Sequence, residues 1–296
     1  MNQSENLVNL LEKKPIVKVC GAYDAMSAKL VEFHGFDAIW AGSFAISAVH
    51  AVPDASILTM TEFFNAASNM AHTCKIPVIA DCDTGYGDPN NVRHLVEKYE
   101  NAGIAAIAIE DKTFPKQNSL LKDGKSDLLP EKDFVAKILA ANDAKQDENF
   151  MIMARIEALI SGMGMDEAIK RANAYEKAGA DAILIHSKQI TPEEIFEFAD
   201  RWEGKAPLVV IPTTYYTVKM DDLIKHNIKM AIFANQTLRV GYESLTRLLE
   251  QMKSVYSLDE ITEKMASMED IFKLQEMYQI KNKEKELEEK LQRLGY

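Results

Sequence analysis

The sequence predicts an α/β protein, a (β/α)8 TIM barrel followed by a C-terminal helical extension. Short apolar segments alternate with amphipathic stretches about every 25 to 45 residues, as in parallel strands joined by crossover helices. Six of these segments run directly into polar residues, namely Asp81 and Asp83, Glu110, Arg155, His186, Thr213 and Asn235. Because the strand ends of a barrel meet at one face, these side chains are expected to share one site.

The predicted strands follow one another at regular intervals. In chain order they cover residues 16–20, 37–40, 77–80, 105–109, 151–154, 182–185, 208–211 and 230–233. Several follow an amphipathic stretch that stops at glycine or asparagine, as in "EFHGFDAIWAGS", "NAGIAAIAIED", "KAGADAILIHS" and "KHNIKMAIFAN". This succession of helix, stop, buried strand and polar terminus predicts eight barrel units in residues 1–256.

Residues 257–296 differ in character from the barrel. Leu, Ile, Met and Phe recur three and four residues apart, and a charge-rich end follows. We predict a C-terminal helical extension whose apolar stripe caps its own barrel or packs against another subunit.

The composition indicates one enzyme domain of ordinary size. The 296 residues, 47% of them hydrophobic, can bury a large core without disulfides. No run of 18 apolar residues occurs, and the amphipathic N-terminus does not resemble a signal peptide, so we predict no membrane segment and a cytoplasmic protein. A net charge of −11 argues against nucleic acid as a partner. Three cysteines without paired spacing are expected to be reduced thiols, with Cys82 a packing residue.

The stretch "ADCDTGYGDPNN" (residues 80–91) contains the strongest local pattern. Asp81 and Asp83 lie two apart at a strand end, and glycines that permit a tight turn follow them. Together with Glu110 they place three carboxylates at one barrel mouth, where a divalent cation would relieve their repulsion. We predict Mg2+, with Mn2+ as a substitute. The alternative is that these carboxylates cap helices, which is the preferred interpretation for Asp88 before Pro89.

Arg155 and His186 supply positive or hydrogen-donating groups to the same mouth, which suits a small phosphate- or carboxylate-bearing substrate. A long polar loop, residues 110–134, follows the fourth strand and is typical of a lid. Lys116 and Asn118 in this loop could lie over a bound anion.

The motifs "DCDTGYG", "EDKTFPKQNS", "ARIEALISGMGMDEAIKRANAYEKAGADAILIHSK" and "IPTTYY" resemble those of the phosphoenolpyruvate mutases in the isocitrate lyase/phosphoenolpyruvate mutase superfamily. The resemblance extends over residues 17–274. It implies reversible conversion of phosphoenolpyruvate to phosphonopyruvate, the first step of phosphonate biosynthesis. It also implies a homotetramer, a dimer of dimers that exchanges a C-terminal helix.

The resemblance implies a role for each matching residue. Asp81 would hold Mg2+ directly, and Asp83 and Glu110 would reach it through water. Arg155, His186 and Asn118 would bind the phosphoryl group, Lys116 would help close the lid, and Asp54 would lie near the transferring phosphorus. The remaining substrate contacts would come from Trp40, from the backbone of Ser43 and Phe44, and from Thr213.

Three other functions are open at this point. Phosphonopyruvate hydrolase is the nearest, and it carries a different residue at the position of Asn118. An oxaloacetate or other 2-oxo acid hydrolase or lyase could use the same Mg2+ site, although the cysteine motif of the lyases, "KKCGH", is absent from residues 110–134. A non-catalytic scaffold would be expected to lack the polar strand ends that this chain retains.

Overall fold

A computed structural model describes residues 2–122, 124, 127–262 and 265–296. Its eight strands are all parallel and form a closed barrel in the order β1 to β8, with β8 pairing back to β1. The predicted TIM barrel is confirmed, and each predicted strand overlaps an observed one. The strands are β1 (Val17–Ala22), β2 (Ala38–Ala41), β3 (Val78–Asp81), β4 (Ala106–Glu110), β5 (Met151–Ile156), β6 (Ala182–Ile185), β7 (Leu208–Val210) and β8 (Ile228–Phe233).

Helices alternate with the strands and cover the outside of the barrel. They are α1 (Gln3–Lys13), α2 (Ala25–Phe33), α3 (Ser43–Val49), α4 (Met60–Thr73), α5 (Pro89–Asn101), α6 (Glu131–Ala144), α7 (Met165–Lys177), α8 (Glu193–Arg201), α9 (Met220–Lys225), α10 (Gln236–Met252), α11 (Asp259–Thr262), α12 (Met268–Leu274) and α13 (Met277–Arg293). Within the described part of the chain, none of these helices has the length and apolar character needed to cross a membrane.

The apolar core forms two layers. One lies between the strands and the surrounding helices, and the other fills the barrel interior. Leu7 and Leu11 of α1 belong to the interior layer, and Gln3 of the same helix accepts a hydrogen bond from the Val78 backbone N–H at the start of β3. Helix α1 therefore packs at the N-terminal end of the strands, and the opposite end is left to form a site.

Contacts along the chain divide it into two compact units, Met1–Arg239 and Val240–Tyr296. The second unit contains most of α10 and helices α11 to α13, so the predicted helical character of the C-terminal region is confirmed. Along α13, Ile280, Leu287 and Leu291 are exposed in the single chain. The division falls inside α10, whereas the predicted boundary between residues 256 and 257 follows the change in composition and stays a prediction.

Candidate active site

The turn after β3 places two carboxylates at the barrel mouth. Asp81 is the last residue of β3, and Asp83 adopts a left-handed backbone with φ of 50°. Gly85 also has a positive φ, and a Cβ there would approach the Val92 side chain to 2.7 Å, so the turn requires glycine. Asp88 accepts hydrogen bonds from the backbone of α5 and caps that helix, as predicted.

Each predicted metal-site carboxylate has a different environment. Asp81 Oδ2 accepts a hydrogen bond from the hydroxyl of Ser43 at 2.8 Å. Asp83 Oδ1 lies 2.7 Å from Lys116 Nζ, and Glu110 Oε2 lies 3.4 Å from Arg155 Nε. Glu110 and Arg155 are direct partners in the register between β4 and β5, so the barrel backbone itself sets this last contact.

The electrostatics of this cluster reflect burial and crowding of like charge. Burial raises the pKa of Asp83 to about 7, with Asp81, Asp54 and Glu110 adding repulsion and Lys116 opposing both effects. Burial disfavours the ammonium of Lys116, but the surrounding carboxylates, Asp83 foremost, still hold its pKa well above the usual range. The charge of Lys116 therefore favours the ionised form of Asp83, and the charges of the carboxylates favour the protonated form of Lys116.

The donor set suits a hard divalent cation. Asp83 Oδ2 and Glu110 Oε1 are buried carboxylate oxygens without a hydrogen-bond partner in the described structure. In the part of the chain that the structure describes, the four carboxylates of Asp54, Asp81, Asp83 and Glu110 have two ion-pair partners, Lys116 and Arg155, so negative charge is in excess. Among the described residues, no three acidic, histidine or cysteine side chains are grouped closely enough to hold an ion together. In the predicted arrangement only Asp81 binds the metal ion directly, and Asp83 and Glu110 reach it through water.

Arg155, in β5, and His186, directly after β6, are held by a carboxylate that sequence reasoning missed. Glu157 Oε1 accepts from Arg155 Nε at 2.6 Å and lies 2.9 Å from His186 Nδ1. Arg155 Nη2 lies 3.0 Å from the same Nδ1. A guanidinium can only donate and a carboxylate can only accept, so Nδ1 satisfies one of them at a time. When Nδ1–H donates to Glu157, Nε2 is the ring atom left for a ligand.

The loop after β4 contacts the loop after β2 across the mouth. Asn118 Nδ2 donates to Asp54 Oδ2 at 2.6 Å, and Lys116 Nζ lies 2.9 Å from Asp54 Oδ1. The Lys116 backbone N–H also donates to the Ser56 hydroxyl at 3.1 Å. Although burial acts in the other direction, Lys116 and Asn118 lower the pKa of Asp54. These contacts support the predicted lid.

A cavity of about 270 Å³ collects most of the predicted residues. Those that line it are Trp40, Ser43, Phe44, Asp54, Asp81, Lys116, Asn118, Arg155, His186, Thr213 and Asn235. Asp83 and Glu110 are not part of the lining, and they lie behind it in contact with Lys116 and Arg155. The cavity therefore presents the carboxylates of Asp54 and Asp81 to a ligand together with cations and hydrogen-bond donors, and Asp83 and Glu110 form a supporting layer behind them.

Sequence reasoning missed four residues of this region: Lys112, Ser119, Glu157 and Arg239. Lys112 and Glu157 each lie two residues beyond a predicted site residue, Glu110 and Arg155 respectively, and this spacing could have indicated them. Ser119 lines the cavity and is the last residue of the motif "EDKTFPKQNS", which could have indicated it. Arg239 also lines the cavity, and no pattern in the sequence distinguished it from surface residues.

Comparison with known families and structures gives one consistent result. A family model described as phosphoenolpyruvate phosphomutase matches residues 7–253. A phosphoenolpyruvate phosphomutase of Tetrahymena pyriformis is 40% identical over 96% of this chain and 94% of its own length. A phosphonopyruvate hydrolase of Variovorax sp. (strain Pal2) is also 40% identical, over 93% of this chain and 95% of its own length.

Solved structures with the same two descriptions are also similar to this chain. The crystal structure of phosphoenolpyruvate phosphomutase from Streptomyces platensis subsp. rosaceus superimposes with a TM-score of 0.94 at 43% identity, covering 96% of this chain and 98% of that one. A phosphonopyruvate hydrolase in complex with oxalate and Mg++ superimposes with a TM-score of 0.90 at 38% identity, covering 95% of this chain and 98% of that one.

Proposed function

Because this chain belongs to the phosphoenolpyruvate phosphomutase family, we propose that it interconverts phosphoenolpyruvate and phosphonopyruvate. The phosphoryl group leaves the enol oxygen of phosphoenolpyruvate and becomes bonded to C3 of the same three-carbon unit. One P–O bond breaks, one P–C bond forms, and no co-reactant is consumed. The reaction is therefore an intramolecular phosphoryl transfer.

One observation carries the proposal: the hydrogen bond of 2.6 Å between Asn118 and Asp54. It joins the loop after β4 to the loop after β2, and both of its residues line the same cavity as Arg155 and His186. Asn118 is the position at which the sequence interpretation separates mutases from hydrolases. Asp54 is buried and charged at neutral pH, so it can orient or receive the transferring phosphoryl group.

Different side chains of the cavity bind different parts of the substrate. Arg155, His186 and Asn118 bind the oxygens of the phosphoryl group, because a loose phosphoryl-transfer transition state is stabilised by fixed positive charge and hydrogen-bond donors. Trp40, Phe44 and Thr213 complete the wall around the pyruvate part. Lys116 bridges Asp54 and Asp83, so it links the lid to the acidic cluster.

Asp81, Asp83 and Glu110 would hold Mg2+, with Mn2+ as a substitute. The excess of carboxylates and the two unpartnered oxygens support this assignment, as does the Mg++ in the relative's structure. A bound divalent ion supplies positive charge to the oxygens of the reacting molecule. The protein's own contribution is to keep Asp81 oriented, through the hydroxyl of Ser43.

Water is the competitor in this site. If water reaches the phosphorus, the products are pyruvate and inorganic phosphate, so closure of the lid determines the outcome. The hydrolase relative has the same 40% identity as the mutase relative, which makes phosphonopyruvate hydrolase the second candidate. The loop, residues 111–130, contains no cysteine, which disfavours a cysteine-dependent lyase.

Three further features belong to the proposal. We place the enzyme in the cytoplasm at the first step of phosphonate biosynthesis. We also propose a homotetramer, a dimer of dimers, because the C-terminal unit exposes an apolar stripe along α13 in the single chain. Light scattering tests the oligomer, and a stable monomer would contradict it.

31P NMR of the purified protein with Mg2+ and phosphonopyruvate tests the function directly. Phosphonate, enol phosphate and inorganic phosphate give separate signals. We expect phosphoenolpyruvate to appear. Inorganic phosphate with pyruvate would instead establish the hydrolase, and the absence of any change would refute both and direct the test to oxaloacetate and other 2-oxo acids.

A further inference from the structure

A buried charged cluster extends inward from the wall of the cavity and has no role in the reaction described so far. It consists of Lys112 after β4, Ser119 in the lid and Glu157 after β5. The side chains of Lys112 and Glu157 are 2% and 0% exposed. Burial opposes charge on Glu157, but Arg155, His186 and Lys112 hold its pKa well below the usual range.

Glu157 uses its two carboxylate oxygens for two different parts of the site. Oε1 accepts from Arg155 Nε at 2.6 Å and lies 2.9 Å from His186 Nδ1. Oε2 accepts from the Ser119 hydroxyl at 2.5 Å and lies 3.4 Å from Lys112 Nζ. One side chain thus joins the proposed phosphoryl-binding pair to the lid.

The hydroxyl of Ser119 has its hydrogen-bonding capacity filled. It donates to Glu157 and accepts from Lys112 Nζ at 2.6 Å and from Arg155 Nη2 at 3.2 Å. A serine hydroxyl offers one donor and two acceptor positions, so its orientation is fully determined. Lys112 Nζ also donates to the backbone oxygen of Gln117 at 2.9 Å.

The residues on both sides of Asn118 are therefore tied to the ends of β4 and β5. Lys112 holds Gln117 and Ser119, and Glu157 holds Ser119. Asn118 lies between the two tied residues, and its amide reaches Asp54. A displacement of about 1 Å in such a group can lower a rate by about 100-fold.

We propose that Lys112, Ser119 and Glu157 are positioning residues, which keep the lid in register with Arg155 and His186 and so direct the phosphoryl group to carbon rather than to water. The proposal rests on the proposed mutase function. None of the three needs to touch the substrate, and their effect is exerted through Asn118 on the lid and through Arg155 and His186 on the wall.

Glu157→Gln and Ser119→Ala test the proposal, since both are small changes within the cluster. We expect kcat to fall by about 100-fold in Glu157→Gln and by about 10-fold in Ser119→Ala. We also expect the share of inorganic phosphate among the products, measured by 31P NMR, to rise at least about threefold in both. A cluster that only stabilised the fold would change neither the kcat of folded enzyme nor the product ratio.

Asp181→Asn is the matched control for the loss of a carboxylate. Asp181 precedes β6 at the other end of the barrel, where it accepts a hydrogen bond from the Ile152 backbone and pairs with Lys145 at 3.2 Å. We expect this variant to keep the product ratio and the kcat of the natural chain. An equal change in the control would show that general destabilisation, not positioning, is responsible, and would overturn the proposal.

Hydrogen exchange of backbone amides in residues 117–121 separates this proposal from the proposed function. We expect exchange there to be at least about 10-fold faster in Glu157→Gln and Ser119→Ala than in the natural chain and in Asp181→Asn. Unchanged exchange would overturn the positioning role. If exchange is faster in the two variants but the natural chain forms neither phosphoenolpyruvate nor phosphate, the positioning of the loop is supported while the mutase function is refuted.

Discussion

Replacing Asn118 by alanine is the most direct test of how the lid acts. The substitution removes a hydrogen bond of 2.6 Å between the amide and the carboxylate of Asp54. A hydrogen bond to a charged group contributes about 1.5 to 3 kcal/mol. Because about 1.36 kcal/mol corresponds to a tenfold change in rate, loss of this contact alone predicts a fall in kcat of about 10- to 150-fold.

Two effects increase the loss beyond this range. The Asn118 side chain also accepts a hydrogen bond from the backbone of Leu120 at 2.9 Å, which shapes the lid itself. In addition, the amide is a proposed ligand of the phosphoryl group. Asn118→Asp should therefore lower kcat further than Asn118→Ala, because it places a second carboxylate beside Asp54 and an anion beside the phosphoryl group.

The assay is the initial rate of phosphoenolpyruvate formation from phosphonopyruvate, followed by 31P NMR at saturating Mg2+. Asn142→Ala is the matched control, since the Asn142 amide donates to the backbone oxygens of Ile138 and Gly179, away from the cavity. That variant should lose stability but keep its kcat. An Asn118→Ala enzyme with kcat within about threefold of the natural chain would refute the role of the lid amide.

Three other predictions each concern a single residue. Ser43→Ala removes the hydroxyl that orients Asp81, so the Mg2+ concentration for half-maximal activity should rise by about 10- to 100-fold; an unchanged value would contradict this role. Arg239 lines the cavity and has no ion pair among the described residues, so Arg239→Ala should raise KM for the anionic substrate by about 10-fold with little change in kcat, as steady-state kinetics would show. Burial lowers the pKa of Lys137 to about 8, so the folded protein loses this proton at lower pH than the unfolded chain does, and stability rises with pH from about 8 to 10.5. Relative to Lys137→Met, the natural chain should gain about 1.5 kcal/mol in free energy of unfolding between pH 8 and 9.5, measured by urea denaturation, and parallel pH curves would contradict this.

The barrel was predictable because its signals are local. Each barrel unit has a helix stop, then a buried strand of four or five residues, then a polar residue. These three signals are recognisable in the sequence without knowing which distant residues the strand contacts. The polar ends of β3, β4, β5 and β6 do meet at one mouth. The family motifs added Asp54 and Asn118, which lie on loops and would not have been joined by periodicity alone.

The positioning cluster was less accessible because it depends on loop conformation. Glu157 follows the last residue of β5 and Lys112 lies two residues beyond β4, where alternation no longer guarantees an inward side chain. Their burial depends on the hydroxyl of Ser119, seven residues from Lys112 and 38 from Glu157. A contact of this kind is fixed by the path of the loop, which the apolar pattern does not determine.

The loops, rather than the barrel, must determine which reaction this site performs. A mutase and a hydrolase are each 40% identical to the chain, and solved structures of a mutase and of a hydrolase superimpose on it with TM-scores of 0.94 and 0.90. The strand-end cations and carboxylates suit either reaction, because both begin with phosphoryl transfer from the same small molecule. What differs is the access of water after the phosphoryl group is released.

In this chain the loop after β4 is tied at Gln117 and Ser119 and bonded to Asp54 through Asn118, so closure is built from contacts within the loop. Variants that loosen those contacts should therefore shift the enzyme toward hydrolysis before they abolish phosphoryl transfer.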